Sequence, residues 1–393
     1  MIPILYRKVV KMSDRADVLI IGGGIMGCAL AYELSQLGIS DVILCEKDYL
    51  TAGSTGRCGA GVRQQWGLEM NIRLARGSCK ILETLQENLG YPYDIEFKQQ
   101  GYLMLAFDSD TMRQFEKNVR LQNELGTPSV LLTPIEAQKH VPHLCIDRLV
   151  GAAFCREDGH ANPFHTTHAY AYAARRAGVD IRTQTRVQNI DVVDGRVRGV
   201  MTDRGYIETP MVFNAAGAYS GQVARMVGIS LPVYTERHQI LVTEPINRMQ
   251  GPMVVSLSHH LYCQQTPHGA FVLGLGDPSE PRGINHEATW QFLESAAVRV
   301  LDIMPSLAPL RVVRQWSGGY NITPDSQPIL GGAPGLTGYA MAVGFSGHGF
   351  MVAPMTARLM AQSLTGQEPE LSIDLLDMGR FDRGELILEP SVV

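Results

Sequence analysis

Apolar residues along the chain fall into two rhythms. Val18-Leu19-Ile20-Ile21 and Val42-Ile43-Leu44-Cys45 are continuous apolar runs, the pattern of strands buried on both faces. Between them, Leu30, Leu34 and Leu37 share one face of a helix, and Gly38 follows where a helix C-cap belongs. Glu69 to Leu89 carries Ile72, Ala75, Cys79, Leu82, Leu85 and Leu89 and predicts a long amphipathic helix. Tyr91 to Phe107 predicts strands, clearest at Gly101-Tyr102-Leu103-Met104-Leu105. A charged helix follows near Thr111 to Leu125, and Thr133-Pro134-Ile135-Glu136 is a helix start.

The turn cluster Asp158–Pro163 leads into a helix through Ala169 to Ala177, then a strand over Val179 to Val187. Asn189 to Thr209 reads as a strand meander with turns at Asp194-Gly195 and Arg204-Gly205. Met211 to Gly217 is a buried strand ending in small residues. Val233 to Gly276 is rich in strand signals, and His286 to Met304 reads as a helix. Near the end, the strand Tyr339–Val343 runs into Gly344-Phe345-Ser346-Gly347-His348-Gly349-Phe350 and a helix from about Met351 to Leu364. No internal repeat is visible.

Glycine chemistry gives the first unit a meaning. Gly22, Gly24 and Gly27, with Gly23 as an extra, lie between the first strand and the first helix. Glu46 ends the second strand, about 20 residues on. Such glycines permit a tight turn and close approach of backbone to a pyrophosphate, and the helix N-terminus offers free N–H groups. The terminal acid suits a ribose hydroxyl. The unit is a dinucleotide-binding βαβ. The second glycine-rich strand-to-helix junction, at Gly344–Phe350, implies that the far end of the same ligand rests there.

The expected fold class is therefore an α/β Rossmann-like dinucleotide-binding lobe with an inserted α+β lobe on a mainly antiparallel sheet. Residues 15–90, 150–220 and 316–393 are assigned to the first lobe, 91–149 and 221–315 to the second. Residues 1–14 are read as an N-terminal extension, with Met12 as an alternative start.

With 45% hydrophobic and 19% charged residues, the chain can bury a sizeable core. The net charge of −5, without a basic stripe, excludes nucleic acid as an expected partner. Seven scattered cysteines without a CxxC fit a reducing, cytoplasmic setting better than a disulfide framework or a zinc site, and no metal-ligand pattern occurs. Arg7, Lys8 and Lys11 before Val18–Tyr32 imitate a signal peptide, but cleavage there would remove the phosphate-binding glycines. No apolar run reaches the ~18 residues of a membrane span.

The βαβ unit, NAAGAYS, TPDSQPILG and GFSGHGF, in this order, resemble the D-amino-acid oxidase-like FAD amine oxidoreductases over nearly the whole chain. STGRCGAGVRQQW, QQGYLML, EDGHANPF and GFSGHGFM are most similar to β subunits of dye-linked L-proline dehydrogenases and heterotetrameric sarcosine oxidases. The resemblance implies that the first lobe is an FAD-binding Rossmann-like lobe of the glutathione-reductase type and the inserted one a substrate lobe, and it implies oxidation of a secondary-amine amino acid by hydride transfer to flavin N5, giving an imine. It also implies a partner α subunit that handles electrons or nucleotides, and an FMN that can sit at the subunit interface. D-amino-acid, glycine and opine oxidation stay open as alternatives, as does a non-catalytic flavin-carrying subunit. An NAD-dependent dehydrogenase leaves the second glycine junction without a role.

Carried over by position, Gly22, Gly24, Ile25, Met26, Gly27, Glu46 and Lys47 would hold the ADP half of FAD, with Val187 at the adenine. Ser54, Thr55, Ala216 and Gly217 match positions near the pyrophosphate. Gly344, Ser346, Gly347, His348, Gly349 and Phe350 match the loop at the flavin pyrimidine edge. Arg63 matches the arginine that pairs with the substrate carboxylate. Polar groups expected over the ring are His348, Tyr262 and His260; His259 and His260, if on a strand, face opposite sides. Relatives that bind FAD covalently use a cysteine before the TPD motif. Here that stretch is Gly318-Gly319-Tyr320, so FAD is expected to be non-covalent. Met351 replaces a lysine found after the glycine motif in oxygen-using relatives. His165 falls near a histidine that carries FMN in some relatives, with a surface histidine at a helix start as the other reading.

Overall fold

The computed structural model describes residues 15–391. The expected extension over residues 1–14 and the alternative start at Met12 lie outside the described residues.

Two large sheets divide the chain. The first has nine strands, and its parallel centre runs Leu336–Val343, Val212–Asn214, Val18–Ile21, Val42–Cys45, Asp180–Arg182. Val18–Ile21 and Val42–Cys45 are buried along their whole length, which is why they read as unbroken apolar runs. The Asn189–Thr209 rhythm appears as the antiparallel strands Val187–Val193, Arg196–Thr202 and Gly205–Glu208, turning at Asp194 (φ 52°) and Gly195 (φ 69°).

Helix Ile25–Gln36 joins the first two strands of the parallel centre and packs between helices Pro163–Arg176 and Gly349–Leu364. Alanines at 169, 171, 173 and 174 let the middle helix come close. Helix Glu69–Leu89 has the bounds its pattern predicts. It packs on Gly349–Leu364, which holds Pro354 within it, and the next N–H, on Met355, donates to Ser78 Oγ at 3.0 Å.

The second sheet has eight strands, antiparallel except where Met253–Ser256 runs parallel to Tyr102–Ala106. Its members correct the sequence-based boundaries. Gly151–Cys155 was assigned to the first lobe but pairs with Tyr102–Ala106, and Val312–Ile322 pairs along Tyr234–Thr243 from Ile322 to Val312. A strand's period reports which face is buried, not which sheet receives its edge. Tyr91–Phe107 holds one strand of the sheet, Tyr102–Ala106, and the expected strand over Val179–Val187 stops at Arg182, with Gln184 left-handed at φ 52°.

Candidate active site

Gly22 leaves its strand at φ 119°, and a Cβ there would stand 2.5 Å from the Ala215 carbonyl oxygen. A Cβ on Gly27 would stand 2.0 Å from the Gly22 oxygen. Backbone alone closes both positions to side chains. The helix that follows starts at Gly24 without a side-chain cap and without an acid in its first turn, so its positive end is open to an anion. Ile25 N–H donates to Thr55 Oγ1 at 3.1 Å. Glu46 accepts from Gly23 N at 2.7 Å and from Asp48 N at 2.8 Å, one bond to each carboxylate oxygen. Each oxygen keeps a lone pair for a hydroxyl. Thr185 N–H donates to the Glu46 carbonyl at 2.8 Å, which brings the start of the Val187 strand beside this acid. Lys47 Nζ lies 3.4 Å over the Tyr219 ring, in the same short turn as Gly217 (φ 52°).

The second glycine junction is held by Asn321, whose Oδ1 accepts from Gly344 N at 2.7 Å and whose carbonyl accepts from Ser346 N at 2.9 Å. Helix Gly349–Leu364 begins at His348, again without a side-chain cap or an acid in its first turn. The loop after Glu46 is laced to the second sheet. Ser54 Oγ donates to the Gly319 carbonyl at 2.6 Å, Arg57 Nη1 to the Ser317 carbonyl at 3.0 Å, and Trp316 Nε1 to the Arg57 carbonyl at 3.0 Å. Both glycine junctions therefore open a helix with no side-chain cap from its own N-cap residue and no acid in its first turn.

Between that loop, the second sheet and the last helix lies a cavity of about 90 Å³. Arg63 reaches it, although the residue is only 4% exposed. Nη1 donates to the Gln65 carbonyl at 2.8 Å, Nη2 to the Ser391 carbonyl at 2.7 Å, and the guanidinium lies 3.7 Å over the Trp66 ring. No carboxylate pairs with it among the described residues. Burial lowers its pKa, the cost of holding a cation away from water. A ligand carboxylate would supply the missing charge.

His348 also lines the cavity and meets Trp66 edge-on at 5.1 Å. Its Nδ1 has no partner among the described residues. Burial first, then the Arg63 charge, push its pKa down to about 3, so the ring is neutral near pH 7. Across the cavity, Tyr262 and Tyr320 sandwich His238, which stacks on Tyr320 at 4.3 Å and on Tyr262 at 5.7 Å. These rings replace side chains: a Cβ on Gly274 would lie 2.2 Å from Tyr262, and one on Gly347 2.5 Å from Tyr320. Ala60 (φ 50°) and Ser346 (φ 45°) are non-glycine residues in the left-handed region, so the cavity wall carries backbone strain.

The structure does not bring His260 to the cavity. His259 and His260 lie in a turn rather than on a strand, so the alternation argument does not apply; His260 is exposed, with φ 48°. His259 bonds Asp302 at 3.0 Å on the far side. Trp66, Tyr102, Tyr320 and His238 are cavity or wall residues to which the sequence assigned no role. Gly61, where a Cβ would meet the Tyr102 hydroxyl, and Gly347, where one would meet Tyr320, were a signal for two of them.

Three buried histidines give the chain a pH signature. Burial pushes His160 and His238 down to about 4 and His348 to about 3. Unfolded, each takes up a proton near pH ~6.5. Below that pH the unfolded chain binds protons that the folded chain refuses, so stability falls on acidification. Asp158 opposes them: burial raises its carboxyl to about 7, so it is protonated in the fold over the same range. Three groups outweigh one. The melting temperature is expected to fall steadily from about pH 6.5 to about pH 4.5 in scanning fluorimetry, and a flat or rising profile would refute this.

The chain belongs to the FAD-dependent oxidoreductase family DAO, whose model matches residues 17–363. It is similar to the L-proline dehydrogenase of P. horikoshii, with 36% identity, a TM-score of 0.91, and coverage of 96% of this chain and 100% of that one. It is 28% identical to sarcosine oxidase subunit beta of Rhodobacter capsulatus, over 95% of this chain and 91% of the relative. It is also 27% identical to rat mitochondrial dimethylglycine dehydrogenase, of which it spans 46%. The protein is thus an FAD-dependent amino-acid oxidoreductase of the sarcosine and proline type. No described helix is long and apolar enough to cross a membrane.

Proposed function

We propose that the chain oxidises a secondary-amine amino acid of the L-proline or sarcosine type, as the β-type subunit of a hetero-oligomeric dehydrogenase. The observation that carries this is Arg63: a buried guanidinium without a carboxylate partner among the described residues, at a small cavity with aromatic walls. Likeness to L-proline dehydrogenase favours proline among the substrates, and likeness to a protein named as a beta subunit supports a partner.

Gly22, Gly24, Ile25, Met26, Gly27, Glu46, Lys47 and Val187 would hold the ADP half of FAD. Ser54, Thr55, Ala216 and Gly217 would line its middle, and Gly344 to Phe350 its flavin end. FAD would be non-covalent: Cys58 lines the cavity, but its thiol donates to the Thr55 carbonyl at 3.0 Å and burial pushes its pKa up to about 12. Bound FAD supplies the acceptor for hydride from the carbon bearing the amine.

Arg63 would hold the carboxylate, and Trp66 would keep the guanidinium plane fixed. The Arg63 charge and the apolar walls disfavour a substrate ammonium, so the nitrogen gives its proton to solvent on binding. Neutral His348 and Tyr262 would orient the amine. Met351 lines the cavity without a charge, consistent with an acceptor other than oxygen.

An FMN between subunits belongs to the same reading. His165, whose Nδ1 lies 3.1 Å from Tyr91 Oη, sits in a surface cluster with Tyr93 that such a group could cover. Seven free cysteines fit a cytoplasmic setting.

The test is dye reduction by the purified yellow protein, alone and with its partner, offered L-proline, sarcosine, glycine, D-proline and an opine. L-Proline is expected to give kcat/KM at least about tenfold above glycine and D-proline, an aggregate of ~1.4 kcal/mol in transition-state binding. Glycine or D-proline as the best substrate would contradict the proposal.

A further inference from the structure

One of the two carbonyls on Arg63 comes from the far end of the chain. Residues 387–391 cross the first lobe and are tied down at three points. Ile387 N–H donates to Asp325 Oδ2 at 3.2 Å, on the carboxylate that forms a buried bidentate pair with Arg380. Glu389 takes the N-terminus of helix Glu69–Leu89. Its carboxylate accepts from Gly67 N at 2.7 Å, Leu68 N at 3.2 Å and Asn71 Nδ2 at 2.8 Å. That helix has no side-chain cap of its own, because Leu68 stands at the N-cap. Pro390 lies against Gly67, where a Cβ would come within 2.4 Å of its ring. Ser391, 1% exposed, receives Asn118 Nδ2 on its hydroxyl at 2.7 Å and Arg63 Nη2 on its carbonyl at 2.7 Å.

We propose that this segment is a strap that positions Arg63 for the substrate carboxylate, with Glu389 as its anchor; the proposal rests on the role given to Arg63 above. A guanidinium has five N–H donors. The Ser391 and Gln65 carbonyls each take one, on different Nη atoms, and the Trp66 ring covers a face. These contacts fix the plane of the fork and leave further N–H groups to receive a carboxylate. The long Arg63 side chain would otherwise have to be ordered at the moment of binding, at a cost in affinity. Glu389 itself bonds helix backbone and Asn71, not the cavity, so it positions Arg63 through Ser391, while its charge also favours the Arg63 cation. Asn118, on the helix Ser109–Glu124, holds Ser391 from the other side.

The experiment uses the FAD-loaded protein with L-proline as the probe and separates KM from kcat. Glu389→Ala is expected to raise KM about tenfold, with kcat within about twofold and flavin content unchanged. Asn118→Ala, which leaves the helix N-terminus intact, is expected to raise KM by about threefold, and Glu389→Gln to recover part of the loss. In an Arg63→Ala background, Glu389→Ala is expected to add nothing, since both changes remove one function. An unchanged or lowered KM in both Glu389→Ala and Asn118→Ala, with Arg63→Ala still raising it, would overturn the strap alone. An unchanged KM in Arg63→Ala would overturn the carboxylate assignment itself.

Discussion

A Gly27→Ala protein is expected to fold its second sheet and to purify colourless. The new Cβ would stand 2.0 Å from the Gly22 carbonyl oxygen, and that atom is backbone at the tip of the phosphate turn. A flexible side chain could move aside; this turn moves only by changing the path on which the ligand would lie. Overpacking of this kind costs about 1–3 kcal/mol, and here it falls on the atoms that would shape the cofactor site. FAD affinity should fall by at least about a hundredfold, which is ~2.7 kcal/mol. Gly53→Ala is the control, because a Cβ there meets nothing within 4 Å. The ratio of flavin to protein absorbance reads both. Equal yellow colour in the two variants would remove the glycine turn from the cofactor site.

Arg63→Ala should act differently: flavin retained, substrate lost. A buried charge-assisted carboxylate pair costs about 2–5 kcal/mol when one partner is truncated, so KM for L-proline should rise roughly a hundredfold or more. Arg63→Lys should rescue little. A lysine cannot satisfy the Gln65 and Ser391 carbonyls and also offer a planar fork to the ligand.

What could be read from the sequence follows from the range of the forces involved. The first βαβ unit was legible because its strands are buried on both faces, its glycines are required by backbone contact, and Glu46 bonds the glycine turn directly. Helix Glu69–Leu89 was legible because its apolar stripe is local. Membership of Gly151–Cys155 and Val312–Ile322 in the second sheet was not, because pairing is decided by residues far away in the chain. Arg63 came from resemblance, and the structure gives it a cavity. His260 failed because the chain turns left-handed there instead of continuing as a strand. The His238–Tyr320–Tyr262 stack joins three strands that share no motif. Glu389 was invisible for a related reason: Leu68 is a poor cap, and nothing in its neighbourhood reveals that a distant carboxylate replaces it.

Arg63 as the carboxylate anchor of a flavin-dependent amine oxidation is tested most directly without oxygen or dye. Wild-type and Arg63→Ala proteins, both loaded with FAD, are mixed anaerobically with rising concentrations of L-proline, and the rate of flavin bleaching is followed. Pyrrolidine, which lacks the carboxylate, serves as the comparison. The expected result is bleaching of both proteins by L-proline, with the variant's half-saturating concentration displaced by about a hundredfold or more, and equal bleaching rates with pyrrolidine. Coincident half-saturating L-proline concentrations, with flavin bound in both proteins, would contradict it.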